Sequence, residues 1–198
     1  PDVLFIPAHI LPLIHPKNSV VTIHGLEYEY YPEMYPPGHL RYLRWSTKYA
    51  LKHSRKIIAA SENTKKDLIE LYNGNPEKIE VVYHGVDSKI FNFQFSIFNK
   101  FPISNFQIDK PFILFIGRLE KKKNIDGLIQ AFTLLKEKHK ISHKLVLAGP
   151  EGYGYKDTKY KIQKTKYKND IIEKGYIGQQ EKEQLLAGAA VFVFPSFY

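Results

Sequence analysis

Residues 112–124, Phe-Ile-Leu-Phe-Ile-Gly-Arg-Leu-Glu-Lys-Lys-Lys-Asn, constrain the fold more than any other stretch of the chain. Phe112 to Ile116 are apolar without alternation, too few for a helix and rich in β-branched and aromatic types. Such a run reads as a strand buried on both faces, as in a parallel sheet. Gly117 ends it, and beyond a basic loop Ile125, Leu128, Ile129 and Phe132 recur at helical spacing. Strand, glycine turn and helix in succession place Arg118 and Lys121 to Lys123 beyond the carboxyl end of a strand, where open α/β sheets bind ligands. Free N–H groups and the dipole at a helix start favour an anion there. Cations on the same loop would match a diphosphate. The alternative is a solvated lysine run on an ordinary strand–helix turn.

The rest of the chain repeats this alternation. Val3–Ile6, Ser19–Ile23, Lys56–Ala60 and Ile79–Val82 read as strands. A helix is expected over His39–His53, with Leu40, Leu43, Thr47, Ala50 and Leu51 on one face and Arg41, Arg44, Lys48 and Lys52 on the other. Ser61 is a candidate N-cap, Thr64 a second one, and Asn73-Gly74 a stop signal. Leu26 to Gly38, rich in proline and tyrosine, reads as a loop. Asp87 to Lys110 carries Phe91, Phe93, Phe95, Phe98, Phe101 and Phe106 without periodicity and reads as an interdomain connection. After residue 124 a helix is expected to about Lys140. Strands follow at Lys144–Ala148, Asp170–Lys174 and Val191–Phe194, with helices over Tyr155–Lys168 and Glu181–Ala187. Alternation of this kind implies parallel βαβ units. The expected architecture is α/β: parts of two Rossmann-like domains, residues 1–88 and 111–198, joined by 89–110, with parallel sheets facing a cleft. His24 then stands at a strand's carboxyl end, where it could bond a substrate hydroxyl or cap a loop.

Bulk properties narrow the classes. Cysteine is absent, so there is no disulfide framework and no thiolate metal site. No run reaches the roughly 18–20 apolar residues of a membrane span. No signal peptide is expected at Pro1, which has no basic leader after it. A net charge of +9 suits anionic partners. The sequence has no D-x-D pair, H-E-x-x-H, G-x-S-x-G or P-loop. Gly149-Pro-Glu-Gly-Tyr-Gly154 is glycine-rich but lacks the dinucleotide spacing. The runs at 2–7 and 191–195 both read as buried strands at the chain's ends, so the sequence is expected to be an internal piece of a longer protein.

In order along the chain, these blocks resemble the retaining glycosyltransferases of family 4 (glycosyltransferase group 1), of GT-B fold. The carriers are Val21-Thr-Ile-His24; Ile58-Ala-Ala-Ser-Glu62; Lys78-Ile-Glu-Val-Val-Tyr-His-Gly-Val-Asp87 with Phe91; Gly117-Arg118 with Lys123-Asn124; Leu145 to Gly149; and Ala190 to Ser196. The resemblance implies a nucleotide-sugar donor and a glycan or lipid-linked acceptor. It implies transfer with retention, and no metal or other cofactor. Arg118 and Lys123 would bind the donor diphosphate and stabilise the charge that builds on it, Lys121 and Lys122 being left as solvated surface. Gly117 and Gly149 would belong to the donor site, and His24, from the first domain, would contact the transferring sugar. A cytoplasmic enzyme is expected, with peripheral contact at the inner face of the membrane through the basic helix, and no nucleic-acid partner.

Four departures stand out. His84 occupies the place where the family usually has Asn before the connector glycine. His24 is followed by Gly25-Leu26-Glu27 rather than directly by an acid. The family's E-x7-E block would begin where the sequence stops, and its N-terminal glycine-rich loop is absent. The piece alone is therefore expected to have little or no transferase activity. A synthase- or phosphorylase-like enzyme of the same fold, a basic nucleic-acid-binding module and a non-catalytic transferase remnant are the alternatives.

Overall fold

The computed structural model describes residues 2–85, 108 and 111–198. The chain divides into two compact units, Pro1–Val86 and Asp87–Tyr198. The phenylalanines of the expected connection lie outside the described residues.

The first unit holds four parallel strands in the order β1-β2-β3-β4: β1 (Leu4–Ile6), β2 (Ser19–Ile23), β3 (Lys56–Ala59) and β4 (Ile79–Val81). Between β2 and β3 run α1 (Glu27–Tyr30), a 3-10 turn at Pro32–Met34 and α2 (Pro37–His53); α3 (Glu62–Tyr72) joins β3 to β4. Register aligns Ile6, Val21, Ile57 and Ile79 on one face. That face packs with Leu26, Tyr28, Ala50 and Leu68 into a single core. Ser61 caps α3 as expected, its Oγ accepting from the Thr64 N–H at 3.1 Å, and Asn73 ends the helix in the left-handed region at φ 54°.

The second unit is a parallel sheet in the order β7-β6-β5-β8: β5 (Phe112–Ile116), β6 (Lys144–Ala148), β7 (Ile171–Gly175) and β8 (Val191–Phe192). Its helices are α4 (Ile125–His139), α5 (Tyr155–Lys164) and α6 (Gln179–Gly188). Alternate residues of β5 and β6 feed two separate cores. Ile113, Phe115, Leu145 and Leu147 pack with Ile125, Leu128, Phe132 and Ile162. Phe112, Leu114, Val146 and Ala148 pack with Ile108 and Leu185. A strand with both faces covered cannot afford a polar position, which is why Phe112 to Ile116 show no alternation.

Three expectations are corrected. Leu26 to Gly38 is no plain loop: it winds into α1 and the 3-10 turn, and α2 opens at Pro37. Prolines at the first positions of a helix need no N–H there, so they start these turns instead of breaking them. The two terminal runs are not buried strands. In β1, Phe5 is 55% exposed, because this edge strand is covered on one face only. In β8, Val191 and Phe192 are 52% and 49% exposed at an edge of the second unit's sheet.

Candidate functional site

The second sheet leaves its first strand in two directions. From β5 the chain winds outward through β6 to β7, then crosses back to lay β8 against β5's other side. Between β5 and β8 the winding reverses, and the crevice beyond the carboxyl ends of such a pair is where doubly wound sheets bind ligands. The residues leaving β5 there are Gly117 and Arg118, and those leaving β8 are Val193 to Ser196.

The turn after β5 is held by backbone. Gly117 N–H donates to Ala148 C=O at 2.9 Å, Leu119 N–H to Pro150 C=O at 2.9 Å, and Gly152 N–H to Leu119 C=O at 2.8 Å. The β5 and β6 turns thus stay paired beyond the strands. That closeness explains Gly149: its φ is +141°, and a Cβ there would lie 1.9 Å from the Gly117 carbonyl oxygen. Its role shown here is to let two turns meet. Arg118 is exposed and forms no ion pair among the described residues. Its aliphatic stem lies over Gly152, where a Cβ would meet Arg118 Cγ at 2.8 Å.

Lys121–Lys123 forms a 3-10 turn, and Asn124, left-handed at φ 55°, caps α4 by accepting from the Gly127 N–H at 3.2 Å. The three lysines differ. Lys121 is exposed. Lys122 is not the solvated surface residue expected: it is 28% exposed and pairs with Glu120 at 3.7 Å, because the tight turn folds it back toward the residue two positions earlier. Lys123 is half-buried, its ammonium 4.8 Å from the centre of the Phe194 ring. Phe194 stacks in turn on Phe115 of β5, at 5.9 Å and 10°. A cation over an aromatic face gains electrostatic attraction without a carboxylate, and the Phe194 ring holds Lys123 at the crevice in this way. The Ser196 hydroxyl is buried with no hydrogen-bond partner among the described residues. Phe194 and Ser196 were missed as site residues, since only the β5–β8 pairing carries them to this turn.

In the first unit His24 leaves β2. Its carbonyl accepts from the Thr64 hydroxyl at 3.2 Å. Its ring lies 3.0 Å from the Pro7 carbonyl through Nε2 and 3.3 Å from His84 Nε2 through Nδ1, and the two imidazoles stack at 5.2 Å. His9, nearby, bonds the Thr47 hydroxyl at 2.8 Å, and Thr47 meets the buried Tyr28 hydroxyl at 2.7 Å. Burial holds the His9 pKa down at about 4, with His24 adding to the effect and Glu27 opposing it. Burial likewise pushes Tyr28 up to about 12. On α2, Arg44 is committed: it donates to both oxygens of Glu29 at 2.8–3.2 Å, and the Tyr72 hydroxyl donates to the same carboxylate. Among the described residues no three His, Asp or Glu side chains converge as a metal site. No helix of the described residues is long and apolar enough to cross a membrane.

The second unit is thus a doubly wound nucleotide-type sheet with cationic side chains at its switch point, and the first is a parallel α/β sheet of the same make. Residues 96–198 match the family profile Glycosyl transferases group 1, and residues 1–89 match Glycosyltransferase Family 4; the chain belongs to the glycosyltransferase group 1 family. It is 25% identical over 186 residues to O-antigen chain mannosyltransferase B of Escherichia coli, covering 92% of this chain and 48% of that protein. The crystal structure of WaaG, a glycosyltransferase involved in lipopolysaccharide biosynthesis, superposes with a TM-score of 0.72 at 14% identity, over 100% of this chain and 54% of WaaG. HepE of Anabaena, in complex with UDP-glucose, gives 0.67 at 18% identity over 90% of this chain and 46% of HepE. At those identities the likeness is one of fold, and the fold is GT-B. The chain spans about half the length of the relatives it matches or less.

Proposed function

We propose that the protein to which this chain belongs transfers a sugar from a nucleotide-activated donor to a glycan or lipid-linked acceptor, with retention and without a metal. The switch point between β5 and β8 carries this reading: Arg118 and Lys123 present two positive charges, with no carboxylate partner among the described residues, on the turn that leads into a 15-residue helix. A donor diphosphate seated there would gain charge as the glycosidic bond breaks, and fixed cations stabilise that charge. Gly117 would let the backbone approach the phosphates, and His24 would meet the transferring sugar. Support comes from the family and from a neighbouring fold that holds UDP-glucose in HepE. The chain alone should turn over little or no donor.

The test is nucleotide-sugar turnover by the full-length protein, with and without EDTA, beside this chain alone. Lys123→Ala should cut transfer about a hundredfold, the scale of one lost transition-state donor, and Lys121→Ala should leave it within a few-fold. Equal losses from both would overturn the placing of the donor at Lys123, and robust turnover by the chain alone would overturn its expected inactivity.

Peripheral contact with an anionic membrane belongs to the same proposal. Leu13 and Ile14 are 68% and 95% exposed, and Tyr49 of α2 donates to the Leu13 carbonyl at 3.2 Å. Arg41, Lys48 and Lys52 lie on the outer face of that helix. Apolar tips flanked by cations suit a headgroup layer. Co-sedimentation with phosphatidylserine vesicles that Ile14→Glu abolishes is the expected result; no sedimentation at low salt ends the idea.

A further inference from the structure

The His24–His84 contact has a direction that the chemistry of its neighbours sets. The Pro7 carbonyl can only accept, so the nitrogen 3.0 Å from it, His24 Nε2, must carry a hydrogen. In the neutral ring Nδ1 is then bare and accepts. The atom facing it at 3.3 Å, His84 Nε2, must therefore be the protonated nitrogen of its own ring. The stacked geometry, 23° between ring planes, restricts both imidazoles further. The backbone beneath is held on each side. Thr64 clamps the His24 carbonyl, and the Val82 N–H donates to the Ala59 carbonyl at 3.0 Å as the chain leaves β4. Strand order puts β3 between β2 and β4, so His84 reaches across the end of β3 to touch His24.

We infer that His84 is a positioning residue for His24, holding its ring in the tautomer whose hydrogen sits on Nε2. This rests on the proposed meeting of His24 with the transferring sugar. In the structure that hydrogen is given to the Pro7 carbonyl. A sugar hydroxyl oxygen is also an acceptor, and it can take the carbonyl's place without any change of tautomer. Once a sugar displaces the Pro7 carbonyl, the hydrogen that His84 gives to Nδ1 is the contact on this ring that keeps Nδ1 the acceptor and Nε2 the donor. The contact also accounts for a residue that departs from the family's usual Asn. An Asn amide carries N–H donors, so both residue types can supply the hydrogen that His24 Nδ1 accepts.

Two variants separate donation from stacking. His84→Phe keeps a flat ring and removes the donor; His84→Asn removes the ring and keeps one. In this chain, imidazole nitrogen shifts in long-range ¹H–¹⁵N spectra report both the tautomer of His24 and the hydrogen bonding of its Nδ1. Because the Pro7 carbonyl still holds the Nε2 hydrogen in the free chain, all three should show the Nε2–H form; wild type and His84→Asn should show the Nδ1 shift of a hydrogen-bonded acceptor, and His84→Phe that of a bare one. In the full-length protein, His84→Phe should lower kcat about tenfold, the scale of one net hydrogen bond, with donor KM within a few-fold, and His84→Asn should restore it. An unchanged Nδ1 shift in His84→Phe, or a wild-type kcat beside a shifted Nδ1, overturns the positioning role. His24→Ala keeps the underlying reading separate: if its transfer is unimpaired, the assignment of His24 to the sugar fails, and the functional role of His84 fails with it, whatever the spectra show.

Discussion

At the scale of single residues, burial and local partners decide what each group does, and His9 shows it most plainly. Its pKa, lowered to about 4, lies below the ordinary 6.5. The unfolded chain therefore binds a proton that the folded one refuses between those two values. The stability that a neutral His9 contributes is complete above pH 6.5 and is lost as pH falls toward 4. The amount is on the order of 3 kcal/mol. Urea denaturation at pH 7.5 and pH 5 should show a drop for wild type that His9→Gln reduces; equal drops in both would remove His9 as the cause. None of this was legible in the sequence, where His9 was one of eight histidines. His24 was legible, because a residue just past a buried strand has a defined place. Its partner His84 was not, because the two are 60 positions apart and only strand pairing joins them. The same limit hid Phe194 behind Lys123. Lys122 was misread because a lysine run gives no hint of which member a tight turn folds back onto Glu120.

At the scale of elements, the unit of design is the pair of turns that close β5 and β6. The strands themselves were readable: unbroken apolar runs, glycine stops and helical spacing after them. The terminal runs show where such reading stops. Three or four apolar residues look alike in a central strand and at an edge, and only neighbours distinguish the two. Leu26 to Gly38 failed for another reason, since proline forbids a helix interior but suits a helix start. The closeness of the two turns yields a sharp stability prediction. Gly149→Ala must place a methyl against the Gly117 carbonyl in a backbone region that glycine alone adopts easily. It should cost at least about 3 kcal/mol. Gly178→Ala at the start of α6, with open space around its Cβ, should cost under about 1 kcal/mol. Denaturant midpoints of the two variants make the comparison, and equal midpoints would show that the turns can part without penalty.

At the scale of the whole molecule, the chain consists of two units, the first with one sheet and one core and the second with one sheet between two cores. The two-domain α/β organisation was legible from the alternation of strands and helices. Which sheet would carry a switch point was not, because the β7–β8 crossover is a matter of strand order and leaves no mark in composition. The stacked row Tyr42, Trp45, Tyr49 and His53 along α2 has a practical consequence. Trp45 is the protein's single tryptophan and is 46% exposed. Its fluorescence is thus an optical probe built into the first unit alone. Heating followed at tryptophan emission should trace the loss of that unit only, while circular dichroism traces both. A nucleoside diphosphate held at the β5–β8 crevice would leave the emission spectrum still, whereas a lipid surface meeting α2 would shift it to the blue.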